Sequence, residues 1–102
     1  MTLEERDHLI RLFETYENLL TEHQQEYFRN YYLYDLSLQE IAESYGVSRN
    51  AIFDQIKKVS VILNQYEDSL HLCKLKEDLK EFKNELSDEL KEKLDKIVEG
   101  VN

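Results

Sequence analysis

The sequence contains no proline and only two glycines in 102 residues. A sheet-rich domain of this size needs more turn residues than that, so the chain reads as all-α. There is a single cysteine, Cys73, which excludes an internal disulfide and suits a reducing compartment. Cys73 lies in SLHLCKLKEDL among apolar residues at helical spacing, and it reads as a small packed hydrophobe rather than a reactive thiol. No apolar run approaches the roughly 18 residues of a membrane span. The opening MTLEERDHLIRLF is acidic and lacks the apolar core of a signal peptide, so the expected location is cytoplasmic.

Positive charge is also scarce. Thirteen Lys and Arg face 22 Asp and Glu, for a formal net charge of −9. The deficit is uneven: residues 1–35 carry −5, residues 36–66 carry 0 and residues 67–102 carry −4. The middle segment is the part without an anionic excess. Catalytic patterns are missing too. His8, His23 and His71 are scattered, the pair His71 and Cys73 falls short of a zinc set, and no glycine-rich phosphate loop or Ser/His/Asp pattern occurs. These features predict no enzyme, no metal and no cofactor.

What is present is helix grammar. Thr2 with Glu5, Thr21 with Gln24 and Ser37 with Glu40 are three capping-box pairs, each opening a helix. The first helix carries Leu9, Leu12, Phe13, Tyr16, Leu19 and Leu20 at helical spacing, and the second carries Tyr27, Phe28, Tyr31 and Tyr32. A short third helix spans roughly Leu38 to Tyr45. Gly46 follows where a left-handed turn is needed. Ser48 caps a fourth helix that carries Ile52, Phe53, Ile56, Val59, Ile62 and Leu63 to about Tyr66. The last third repeats Leu72, Leu75, Leu79, Phe82 and Leu86 near heptad spacing among Lys and Glu. Its register then shifts to Leu90, Leu94, Ile97 and Val101, which predicts a break and a sixth helix with Asn84 or Ser87 as cap.

The third and fourth helices fill every role of a helix-turn-helix. Leu38, Ile41 and Ala42 pack inward, with Ala42 small enough for close helix approach. Gly46 makes the turn and Val47 fills the angle between the helices. Ala51, Ile52 and Ile56 face back toward the core. The outward set is Ser48, Arg49, Asn50, Phe53, Asp54, Lys57 and Lys58, which would face a major groove. Arg49 suits guanine and Asn50 or Gln55 suits adenine, the helix start at Ser48 suits a phosphate, and Lys57 and Lys58 suit phosphates further along. Asp54 opposes the backbone charge, although it can accept from cytosine N4. Tyr27, Tyr31, Tyr32 and Tyr34 could instead stack on single-stranded bases, but only Arg29 is interleaved with them, so packing with hydroxyls at the rim is the better reading. Two parts are expected: a helix-turn-helix core over residues 1–66, and an amphipathic C-terminal helical extension over 67–102. The extension either folds back on the core or pairs with a second copy. A homodimer seamed by Leu72, Leu75, Leu79 and Phe82 is favoured.

The run from Leu20 to Glu67, with YY, DLS, EIA and GVS in order, resembles region 4 of bacterial sigma factors. More closely, YYLYDLSLQEIAESYGVSRNAIFDQIKK with the preceding LFETYENLLTEHQ resembles the YlxM-like family of small bacterial proteins. That resemblance covers roughly residues 1–85. It implies a helix-turn-helix fold, DNA binding through Ser48, Arg49, Asn50, Phe53, Asp54 and Lys57, and a role in, or in regulating, the signal recognition particle pathway. The protein subunit of that particle is the implied partner. A protein-interaction module docking on such a component, without DNA, is the alternative.

Overall fold

A computed structural model describes residues 1–100. Among them are six α-helices and no strand: α1 (Leu3–Tyr16), α2 (Glu22–Phe28), α3 (Leu38–Tyr45), α4 (Arg49–Leu70), α5 (Leu72–Lys83) and α6 (Asp88–Glu99). The all-α helix-turn-helix expectation is met. Val101, the expected end of the last apolar stripe, lies outside the described residues.

All three capping boxes form. Thr2, Thr21 and Ser37 each accept from the amide three residues on, while Glu5, Gln24 and Glu40 accept from the cap residue's own amide. These local bonds fix where α1, α2 and α3 begin. The core then forms where their apolar faces meet α4. Leu9, Leu12, Phe13 and Tyr16 of α1 pack with Phe28 and Tyr32, with Ile41 and Ala42 of α3, and with Ile52, Ile56, Val59 and Leu63 of α4. Phe13 and Phe28 stack at 4.2 Å between centroids, nearly parallel. Cys73 of α5 is buried in the same core, as expected for a packed thiol.

The structure departs from the simple periodic reading at four places. The first helix stops at Tyr16, and a 3-10 turn at Glu17–Leu19 turns Leu19 outward while Leu20 stays buried. The Thr21 capping box starts a new helix so soon after that α1 cannot run on through Leu20. Beyond α2 the backbone widens into a π-helical turn, Arg29–Leu33, in which the Tyr34 amide reaches back to the Arg29 carbonyl at 2.9 Å. The Arg6 guanidinium of α1 closes that end by donating to the Tyr32 carbonyl and, at 2.7 Å, to the Asp35 carboxylate. Val47 is 44% exposed rather than filling the interhelical angle. It contributes its amide, which donates to the Ala42 carbonyl and closes the end of α3 behind Gly46. Finally, α4 continues past Tyr66 to Leu70.

The C-terminal helices lengthen the molecule. A left-handed residue, His71 (φ 54°), joins α4 to α5. The turn after α5 is capped into α6 by Ser87, whose hydroxyl accepts from the Leu90 amide; Asn84 ends α5 instead. The radius of gyration is 16.6 Å, against about 13 Å for a compact domain of this length. Leu72 packs on the core, and Leu79 lines an open groove with Leu94 and Val98 of α6 and Arg11 of α1. Leu75 and Phe82 are half exposed, as are Leu90 and, further out, Ile97. The four expected seam residues are thus divided: Leu72 and Leu79 turn toward this chain, Leu75 and Phe82 toward solvent.

Candidate nucleic-acid interface

The geometry of α3 and α4 follows from one backbone bend. Gly46 adopts φ 66°, ψ 33°, the left-handed region that glycine enters at little cost. A Cβ at that position would meet nothing within 4 Å, so the requirement is conformational rather than a matter of space. The bend lets Ile41 and Ala42 of α3 meet Ile52 and Ile56 of α4, all four of them buried. Burying that stripe of α4 commits the opposite face to solvent by helical periodicity.

All seven expected residues lie on the solvent side. Ser48, Arg49, Asn50, Phe53, Asp54, Lys57 and Lys58 are each exposed. The Ser48 hydroxyl accepts from the Ala51 amide at 3.1 Å. The first amides of α4, at Arg49 and Asn50, precede the helical ladder and remain available to an anion. No acidic residue occupies the first turn of α4 or α5, whereas α1, α2, α3 and α6 each carry at least one. Asn50, Asp54, Lys57 and Val61 follow one another at three- and four-residue spacing and line the centre of the free face. Val61, 50% exposed, extends that face a turn beyond the residues expected from the sequence.

Arg6, Arg11 and Arg29 are committed to ion pairs with Asp35, Glu77 and Glu17. Among the described residues, Arg49, Lys57 and Lys58 enter no ion pair, and neither does Asp54. Asp54 has lysines three and four residues on, both suitably spaced for pairing, yet takes neither. The exposed arc of the helix therefore carries three free cations and one free carboxylate, with Arg49 and Lys58 toward its opposite edges.

The tyrosines go elsewhere. Tyr32 is buried, Tyr31 packs edge-on against it at 5.0 Å, and Tyr27 packs edge-on against Tyr45 at 4.9 Å. The Tyr45 hydroxyl donates to Glu26 at 2.7 Å, and burial together with that bond pushes its pKa up to about 12. Tyr34 alone of the expected four is largely exposed. These rings pack the fold and do not form a stacking platform. Burial likewise pushes the Cys73 thiol up, away from reactivity. Among the described residues no group of three or more His, Cys, Asp or Glu side chains could hold a metal ion.

A feature the sequence reading missed braces α4 from behind. Helix α5 has no side-chain cap of its own at His71. The Glu67 carboxylate of α4 accepts instead from the amides of Cys73 and Lys74, both at 3.0 Å, and the Tyr16 hydroxyl accepts from Leu72 at 3.1 Å. Tyr16 in turn donates to Glu67. The rear half of α4 is thereby tied to both α1 and α5.

A short helix, a left-handed glycine turn and a capped second helix with a solvent-facing polar arc define a helix-turn-helix protein. The chain belongs to the UPF0122 family, helix-turn-helix proteins of the YlxM / p13-like type, whose profile matches residues 3–100. It is 46% identical over 88 residues to the UPF0122 protein YlxM of Bacillus subtilis, covering 86% of this chain and 80% of that one. A UPF0122 protein of Fusobacterium nucleatum is 41% identical over 102 residues, 99% of both chains. One from Bacillus mycoides is 39% identical over 105 residues, 97% of this chain and 96% of that one. Among the described residues no helix is long and apolar enough to cross a membrane.

Proposed function

We propose that this protein is a cytoplasmic DNA-binding regulator that sets the N-terminal half of α4 in the major groove of duplex DNA. The observation that carries this reading is the free polar arc of α4, where Arg49, Lys57 and Lys58 are exposed and unpaired directly behind a helix-turn-helix turn. Ser48 and the first amides of α4 hold a phosphate, Arg49 and Asn50 meet base edges, and Lys57 and Lys58 hold the backbone further along. Replacing Arg49 by Glu abolishes retention on duplex DNA without unfolding the protein. Unchanged affinity overturns the assignment.

Three cations support weak binding in a chain of net charge −9, so two copies acting together serve the function better than one. In this reading residues 1–66 carry the DNA surface and residues 67–102 form the dimerisation arm. Leu75 and Phe82 meet a second chain, with Leu72 and Leu79 behind them. The arm's exposed apolar residues and the elongated shape favour such a homodimer. Light scattering at micromolar concentration gives the dimer mass; a monomer sinks the idea.

The anionic balance favours a second reading, in which the same surface or the acidic flanks dock on a basic protein. The resemblance to the YlxM-like family points to the protein subunit of the signal recognition particle. Titration against random duplex near 50 mM salt, and separately against that purified subunit, separates the two. A protein complex without DNA retention decides for docking.

A further inference from the structure

We infer that Asp54 is the specificity-determining residue of the α4 surface and that it selects cytosine. The inference rests on the groove reading above and goes beyond it. Asp54 lies at the centre of the free face, opposite the buried stripe of Ile52, Ile56 and Val59. It is exposed and in no ion pair, although Lys57 and Lys58 lie within reach of its own helix face. A carboxylate left unpaired among cations is not spent on holding the fold.

The chemistry of the groove floor limits what such a group can meet. An ionised carboxylate only accepts hydrogen bonds. Guanine offers N7 and O6, both acceptors, and thymine offers the O4 acceptor and a methyl group. Adenine offers one donor at N6 beside the acceptor N7, so one carboxylate oxygen gains a bond while the other faces a lone pair. Cytosine offers the N4 amino donor without an adjacent acceptor of its own. Asp54 therefore gains a bond at cytosine and meets repulsion, or a compromise, at the other three bases. The same charge opposes phosphates when α4 rests on DNA of the wrong sequence. Asp54 thus weakens non-specific binding and penalises wrong bases together, and the ratio of specific to non-specific affinity rises by both routes.

The test is selection of bound sequences from a random duplex library at low salt by the full chain and its Asp54→Asn and Asp54→Ala variants. Asp54 is exposed and supports no packing, so both variants fold; circular dichroism melts verify this. The wild type enriches a cytosine at one position. Asp54→Asn shifts that position to adenine, which an amide can bond at both N6 and N7, and Asp54→Ala loses the preference. Both variants hold random duplex more tightly than the wild type, and their affinity for the wild-type-selected sequence relative to random duplex falls about tenfold. An unchanged enriched sequence in both variants overturns the inference. So does a wild type that binds duplex without enriching cytosine, and in that case the groove reading stands. A wild type that retains no duplex at all overturns the groove reading and this inference with it.

Discussion

The hydroxyl of Tyr16 and the carboxylate of Glu67, 51 residues apart in sequence, are hydrogen-bonded and together cap the start of α5. Each helix leaves its first amides without internal partners. Those of Leu72, Cys73 and Lys74 are all satisfied by this pair, since His71 supplies no cap. Through these amides the pair ties α1 and α4 to the start of α5, beside the Arg11–Glu77 ion pair. Removing either partner strands amides at a partly buried helix start. Glu67→Ala lowers stability by about 1 kcal/mol, the usual loss of a cap, and Tyr16→Phe by a similar amount through the lost hydrogen bond. For a chain of this size each shifts the melting temperature by roughly 4–8 °C. Thermal melts of the two variants and their double mutant check this. Because the residues share one network, the double mutant loses less than the sum.

The same pair makes stability depend on pH at both ends. Burial pushes the Glu67 carboxyl up, but the Tyr16 hydroxyl and the Cys73 and Lys74 amides outweigh it and hold its pKa below the ordinary value of 4.5. A lowered native pKa gives stability that is full above about pH 4.5 and is lost as pH falls through the native value. Burial and the Glu67 bond push Tyr16 the other way, from 10.0 to about 12. That contribution is full below pH 10 and is lost as pH rises through 12. Melts of the wild type and Glu67→Gln across pH 3–11 test the acid limb. The gap between the two proteins closes as the pH falls below the ordinary carboxylate range, and a gap that stays constant there contradicts the assignment.

Gly46 offers a separate test of the turn. Its φ of 66° lies where a Cβ costs about 1–2 kcal/mol. The open space around the position adds no clash to that cost. Gly46→Ala therefore loses about 1–2 kcal/mol, and Gly46→Asn loses less, because asparagine tolerates the left-handed region better. Urea titrations of the three proteins give the order directly. Equal losses for Ala and Asn mean that something other than φ is at stake.

Local grammar explains why the front of the fold was readable. Thr2, Thr21, Ser37 and Ser48 announce their helices within three residues, and Gly46 announces the turn. The outward set from Ser48 to Lys58 follows from the same register, because burial of Ile52, Ile56 and Val59 leaves those positions only solvent. The Tyr16–Glu67 cap was hidden, since its two residues lie on separate helices and neither borders α5 in sequence. The π-helical turn after Phe28 carries no signal of its own; the Arg6 contacts that close it, with Tyr32 and Asp35, span 26 and 29 residues. In the last third, spacing identified an apolar stripe without saying what covers each residue. The turn between α5 and α6 brings Leu94 and Val98 beside Leu79 and leaves Leu75 and Phe82 outside.

Lys57 and Lys58 lie two turns beyond the N-terminus of α4, at positions that suit phosphates better than bases. Each phosphate neutralised releases counterions, so the logarithm of affinity falls with the logarithm of salt by about 0.9 per contact. The two phosphate-facing lysines predict a slope near −2 for one chain and near −4 for a dimer bound at two half-sites. Replacing both Lys57 and Lys58 by Ala flattens the slope by about 2 per chain. It weakens binding to all sequences alike and leaves any sequence preference unchanged. Fluorescence anisotropy of labelled duplex between 50 and 200 mM salt measures both effects. A slope unaltered by losing both lysines places the phosphate contacts elsewhere on the molecule.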